Sequence, residues 1–239
     1  IYMNAAKSMI GDLQRYKVFG KPLWLTEFCA WDGTSSSAAQ CQFMAQSINY
    51  LEQDDDLERY AWFIPRWNQA TESAPFMQLI TKAKPYELTE RGILFVNMST
   101  FDKNAVYPCG KRIPAEHYRA CSIDDSYASP AVSLCTDVNG ILQIDGLALN
   151  QWMDYKINIL SGVKDFQIRY TATRDSEITI YRVDENGNET ALQTIALPST
   201  ASKTAWTTLT ESFTPEAGEQ VLRLKCTKGL PRINWFKLK

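Results

Sequence analysis

The sequence predicts an α/β half followed by an all-β half, and three observations carry that division. Residues 1 to about 104 alternate helix-like with strand-like stretches, whereas from about residue 107 the chain falls into short runs of alternating hydrophobicity. Pro108 and Gly110 interrupt both patterns where they meet, which places the domains at 1–106 and 107–239. With 45% hydrophobic and 22% charged residues in 239, the chain has apolar material for one large or two modest cores.

In the first half, Met3, Ala6, Met9, Ile10 and Leu13 fall at helical spacing and Gly20 marks the stop. Pro22 leads into LWLTEF, an apolar run of the kind that forms a strand buried on both faces. SSSAAQCQFMAQSINYLEQ reads as a serine-capped helix, RYAWFIPRW as a second buried strand and LTERGILFVNMSTF as a further helix. Strands separated by helices in this order run parallel if they share a sheet. In the second half, ILQIDGLAL, WMDYKINIL, KDFQIRYTAT, EITIYRVD, TALQTIAL, TTLTESFT, QVLRLKCT and RINWFKLK read as strands. Turn signals such as Asn186-Gly187, Pro198-Ser199 and Ala217-Gly218 separate them, and strands at this spacing indicate a β-sandwich.

Charge and composition exclude several function classes. The 25 basic and 27 acidic residues are scattered without blocks, so no basic stripe offers itself to a phosphate backbone and nucleic acid is not an expected partner. No apolar run approaches the roughly 18 residues of a membrane span, and the chain opens at Ile1 without a signal-like segment, so it reads as soluble and already processed or truncated. Six cysteines without a C-x-x-C pair, beside a single His, argue against a zinc site and leave disulfides open. Two N-x-S/T tripeptides begin at Asn97 and Asn188.

Glu27 follows the LWLTEF run, at the carboxyl end of a predicted parallel strand, where α/β units carry their functional groups. Held there among Trp24, Phe28 and Trp31, a Glu gains the restrained rotamer and partly dry setting that a carboxylate nucleophile or acid needs. The spacing equally suits an acid that caps the next helix or pairs with an Arg.

PLWLTEFCAWDG resembles the seventh strand of a retaining glycoside hydrolase (β/α)8 barrel, YAWFIPRWN its eighth strand and YELTERGILFVNMS its last helix. The resemblance is to glycoside hydrolase family 128, the Asl1-like enzymes that cleave β-1,3-glucans, and it implies the carboxyl-terminal part of such a barrel. It makes Glu27 the nucleophile. Trp62 matches the aromatic that these barrels present beneath the sugar at the cleavage point, where axial C–H groups pack on a flat ring. Trp31 and Trp67 extend that surface in this reading, although each of the three rings also suits a core contact. No cofactor is implied for catalysis. Retaining hydrolysis needs a second carboxyl group, which the family takes from its fourth strand, and no Asn-Glu strand motif precedes Glu27. Asp32 and Glu72 read better as solvated or turn-forming residues. The expected partners are therefore β-glucan and an amino-terminal barrel segment of the same protein.

RIPAEHYRA, NQWMDYKINIL, TAWTTLTESFTPEAGEQVLRLKC and LPRINWFKLK together resemble a family 6 carbohydrate-binding module over residues 112–239. That implies a jelly-roll β-sandwich attached to a secreted polysaccharide-degrading enzyme, with Trp152, Trp206 and Trp235 filling its core or bracing strands. The end-loop sugar site of the family uses two aromatic rings and an Asn. Here Lys203, Arg232 and a position near Gln143 stand in their places, which implies a dead or altered site; Tyr118, Tyr127, Tyr170 and Tyr181 are other candidates. The resemblance also implies a structural calcium in the sandwich, matched by Glu116 and Asn234, while Pro114 replaces the first acid of the family's pair. The expectation is thus a secreted retaining β-glucanase fragment with an appended module. The alternative is a noncatalytic carbohydrate-binding or structural protein.

Overall fold

The computed structural model describes residues 1–31, 36–67, 76–99, 104–123, 129–138 and 140–239. The chain divides into two compact units, Ile1–Phe101 and Asp102–Ile123 with Ser129–Lys239.

In the first unit, helix α1 (Ala6–Lys17) buries Ala6, Met9, Ile10 and Leu13, the stripe its spacing predicts. Arg15 and Lys17 sit in its last turn, where cations meet the negative end of the helix dipole. Strand β1 (Leu23–Phe28), helix α2 (Ser37–Leu51), strand β2 (Leu57–Trp62) and helix α3 (Glu90–Ser99) follow, and β1 pairs in parallel with β2. Ser36 caps α2, its hydroxyl accepting the Ala39 N–H at 3.1 Å. On the opposite edge of β1, Tyr2 forms a parallel bridge with Cys29. The Phe28–Cys29 peptide serves both edges: Phe28 O accepts from the Phe63 N–H at 3.0 Å, and the Cys29 N–H donates to Ile1 O at 3.4 Å.

Both strands were expected to be buried on two faces, and the structure corrects this. Only Leu25 and Phe28 of β1 and Trp62 of β2 are buried. Helices α2 and α3 cover one face, through Phe43 against Phe28 and Trp62 and through Phe95 against Tyr60. Residues on the other face, Trp24 at 60% exposure among them, meet no second layer among the described residues.

The second unit is a β-sandwich. Its strands are β3 (Tyr107–Pro108), β4 (Ile113–Pro114), β5 (Ala120–Cys121), β6 (Val132–Leu134), β7 (Leu142–Ile144), β8 (Trp152–Ile159), β9 (Asp165–Thr171), β10 (Ser176–Val183), β11 (Glu189–Leu197), β12 (Thr207–Ser212), β13 (Gly218–Lys228) and β14 (Arg232–Leu238). One sheet has the order β11-β10-β13-β8-β3, with β5 also on β8; the other has β12-β9-β14-β7-β6, with β4 on β14. From β8 onward the chain crosses between the sheets at nearly every connection, and β10–β11 is the exception, a hairpin closed by Asn186-Gly187 with Gly187 at φ 83°.

All eight strands read from the sequence are present, and β3 to β6 add four pieces too short to show a period of two. Period-two burial is clearest on β8, where Met153, Tyr155, Ile157 and Ile159 line the core. Tyr155 and Phe166 meet Phe236 there at 4.7 and 5.7 Å between ring centres. Trp152, Trp206 and Trp235 are not core residues. They lie half-buried at the surface, where Arg223 covers Trp152, Arg112 covers Trp235 and the Trp206 indole N–H donates to Thr136 Oγ1. An indole keeps its N–H near a polar partner, and the core space is taken by Phe, Ile and Leu instead. No disulfide joins any of the six cysteines. No helix among the described residues is long and apolar enough to cross a membrane.

Candidate functional site

Parallel strands deliver their carboxyl ends to one rim, and at that rim β1 and β2 bring Glu27 and Trp31 beside Trp62 and Phe63. The turn after β1 is fixed by Gln40, a fully buried side chain on α2. It donates to Ala30 O at 2.8 Å and accepts the Ala30 N–H at 3.0 Å, which satisfies both polar groups of that peptide position away from water.

Glu27 and Phe28 point to opposite faces of β1, so Phe28 joins the core while the Glu27 carboxylate stays open to solvent. The partly dry setting expected from the sequence is absent. Trp24 lies at the far end of the strand, donating to Glu58 Oε2 at 2.9 Å beneath the Arg59 guanidinium, and Phe28 faces away. Restraint comes instead from Tyr2, whose hydroxyl donates to Glu27 Oε2. Among the described residues Glu27 makes no ion pair, and Ser36 rather than Glu27 caps α2, so neither bland expectation for this acid holds.

Tyr2 was not found from sequence, because only the parallel bridge to Cys29 brings it to this rim. Its phenol is pushed up to about 12, first because ionisation would cost the hydrogen bond to Glu27, then by burial and by the carboxylate's charge. Tyr2 therefore remains a donor at neutral pH. Its ring meets Trp31 edge-on at 5.7 Å and Phe63 at 5.3 Å, and Trp31 and Phe63 are 6.3 Å apart. Burial pushes the neighbouring Cys29 thiol up to about 12, which leaves it inert as a nucleophile.

The three tryptophans separate. Trp31 is 40% exposed beside Tyr2. Trp62 is 5% exposed, edge-on to Phe28 at 5.0 Å and donating to Met77 O at 2.7 Å, so its ring braces β2 against the core and offers no open face. Trp67 is half-buried, with its indole N–H buried and without a hydrogen-bond partner among the described residues. Asp32 and Glu72 lie outside the described residues.

In the sandwich, the end-loop positions are occupied by polar contacts. Arg232 is buried and its Nε donates to Asp145 Oδ1 at 2.5 Å; Gln143 is buried and donates to Ser133 Oγ at 3.1 Å; Lys203 is exposed. Tyr118 and Tyr170 are buried, Tyr181 is half-buried beneath Lys225, and Tyr127 lies outside the described residues. Asn234 donates to Asp137 Oδ2 at 2.8 Å, and the Arg169 guanidinium holds the Asp137 carboxyl below its ordinary range. Glu116 is buried with Oε2 unpartnered, and burial pushes its carboxyl up to about 7. Calcium takes six or more oxygens. Glu116 and Asn234 supply two side chains toward that number, Pro114 supplies none, and no group of three or more His, Cys, Asp or Glu among the described residues is placed to hold a metal. The side chains of Glu116 and Asn234 alone fall short of that number.

Family comparisons find a match for each of the two parts of the chain. Residues 1–95 match the glycosyl hydrolase catalytic core, and residues 115–239, just over half of the chain, match carbohydrate binding module (family 6). The chain belongs to that carbohydrate-binding module family. No curated protein matches it. Among solved structures, a β-1,3-glucan-binding family 6 module from Bacillus halodurans is 20% identical with a TM-score of 0.48, over 56% of this chain and 99% of that one. A module of Cellvibrio mixtus lichenase 5A in complex with cellotriose is 23% identical with a TM-score of 0.47, over 55% and 97%. One from Clostridium stercorarium in complex with cellobiose is 20% identical at 0.47, over 57% and 98%.

Proposed function

We propose that this protein is a secreted retaining glycoside hydrolase acting on β-glucan, β-1,3-glucan in particular, with Glu27 as its nucleophile. Residues 1–106 are, in this reading, the carboxyl-terminal portion of a (β/α)8 barrel of family 128 type, and the sandwich engages polysaccharide. The observation that carries the reading is the Tyr2–Glu27 hydrogen bond at the carboxyl rim of parallel strands. A neutral phenol that occupies Oε2 fixes the carboxylate's rotamer and leaves Oε1 to attack the anomeric carbon. A second carboxyl group about 5 to 5.5 Å away protonates the leaving oxygen and later activates water. Other strands of the barrel supply that group. Trp31 and Trp67 flank the sugar through ring contacts, and Trp62 supports the rim from beneath.

The test uses the protein with its complete barrel. Glu27→Gln keeps the side chain's shape and removes the nucleophilic charge, so hydrolysis of β-1,3-glucan should fall by on the order of a thousandfold or more while glucan binding is retained. Turnover within a few-fold of the unaltered protein removes Glu27 from the nucleophile role. The exposure of Glu27 favours one second reading, a noncatalytic glycan-binding protein with the α/β unit as scaffold, and absence of turnover in the complete protein would establish that reading.

A further inference from the structure

The outer face of the sheet holding β8, β10 and β13 carries a groove of about 780 Å³ that the hydrolytic reading leaves unused. Its floor is a stack. Arg223 lies 3.5 Å over the Trp152 ring, donating from Nε and Nη2 to Asp154 at 2.7 and 2.8 Å and from Nη1 to Glu189 at 2.7 Å. The guanidinium gives three of its five N–H donors to carboxylates and covers a ring face that would otherwise receive the C–H face of a neutral sugar.

Most other charges on the walls are spent as well. Asp184 accepts the Asn186 and Asn188 N–H groups at 2.9 and 2.8 Å and the Asn188 amide at 2.8 Å. Lys156 pairs with Glu219 at 2.5 Å and Arg182 with Glu216 at 2.7 Å. Arg119 differs: it lines the groove half-buried, and its side chain makes no hydrogen bond or ion pair among the described residues. Asp184 and Glu185, the two lining acids without an ion pair among the described residues, are both exposed in the β10–β11 turn, where water and salt screen them. The groove thus offers an unspent, preorganised fork of N–H donors beside a covered aromatic ring. A smaller hollow of about 200 Å³ beyond Arg182 and Gln220 lengthens it enough for several sugar units.

We infer that this groove selects an acidic saccharide, with Arg119 pairing to a carboxylate or sulfate on the sugar. The inference rests on the reading of this chain as a glycan-engaging protein. Calorimetric titration of the full chain compares xylotetraose with the same oligosaccharide bearing a glucuronic acid branch, and laminaritetraose with its sulfated form, at low and at 0.5 M salt. At least one acidic ligand should bind about tenfold more tightly than its neutral counterpart at low salt, with the gap narrowing at high salt. The arm that shows the gap identifies carboxylate or sulfate as the source. Arg119→Gln should abolish the gap with at most a small change in melting temperature, since the side chain has no hydrogen bond or ion pair to lose and only its charge acts on Asp154, and Arg119→Lys should retain part of the gap. Equal binding of acidic and neutral ligands, or a gap that survives Arg119→Gln, overturns the acidic preference and leaves the hydrolytic reading intact. Binding of neither class to the sandwich overturns both the preference and the sandwich's part in glycan binding.

Discussion

Tyr2 and Glu27 lie 25 positions apart, and what joins them is adjacency of chain segments across a parallel sheet rather than any sequence pattern. Glu27 was legible because a strand-end acid within a cluster of aromatic residues is a local signal; its partner was not, because a tyrosine at position 2 precedes a helix and carries no local mark. The pair predicts a spectroscopic change. With the carboxylate removed, nothing penalises ionisation of the phenol beyond its modest burial, so in Glu27→Gln one tyrosine should titrate closer to pH 10 than to about 12. Tyrosinate absorbance of the variant minus that of the unaltered protein reads this directly, and coincident curves reject the contact. Glu116 gives a second residue-scale expectation. Its carboxyl is pushed up to about 7 in the folded sandwich and titrates near 4.5 once unfolded, so its stabilising contribution is full below about 4.5 and is lost as pH rises through 7. Glu116→Gln should therefore raise the melting temperature at pH 8 and leave it nearly unchanged at pH 4.5, and added calcium should not change it at either pH. A rise in melting temperature on adding calcium, removed by the Gln variant, would restore the metal site.

Among the elements, those long enough to express a period were legible, α1 with its buried stripe and β8 to β14 with their alternation or turn signals. The short strands β3 to β6 were not, since β4 exists through its pairing with β14 and β5 through its pairing with β8. The sandwich tryptophans misled for a related reason. Hydropathy marks an indole as core material, while a neighbouring Arg can cover it equally well at the surface, and that neighbour comes from another strand: Arg223 faces Asp154, two residues along β8 from Trp152. The open face of β1 and β2 has the same lesson in reverse. An apolar run of six residues promised two covered faces, but coverage belongs to the layers around a strand and not to the strand.

At the scale of the molecule, two units lie in one chain and divide at Phe101 and Asp102, while the sequence reading set the boundary at Pro108 and Gly110, where helical spacing gives way to alternation. Family membership then rests on motifs spread across the second unit, whereas the charged groove on its outer sheet depends on partners such as Arg223 and Asp154, 69 positions apart. Strand β14 adds something that concerns birth rather than function. It lies between β9 and β7 with β4 alongside, so the last strand of the described sandwich is interior to its sheet. During synthesis, which proceeds at about 5 to 20 residues per second, β7 and β9 wait with unpaired edges until residues 232–239 have left the ribosome. A chain arrested at Pro231 should stay protease-sensitive throughout the sandwich, and one arrested far enough beyond Lys239 for residues 232–239 to emerge should gain resistance in a single step. Stepwise resistance appearing before those residues emerge would show that the early strands settle without their central neighbour.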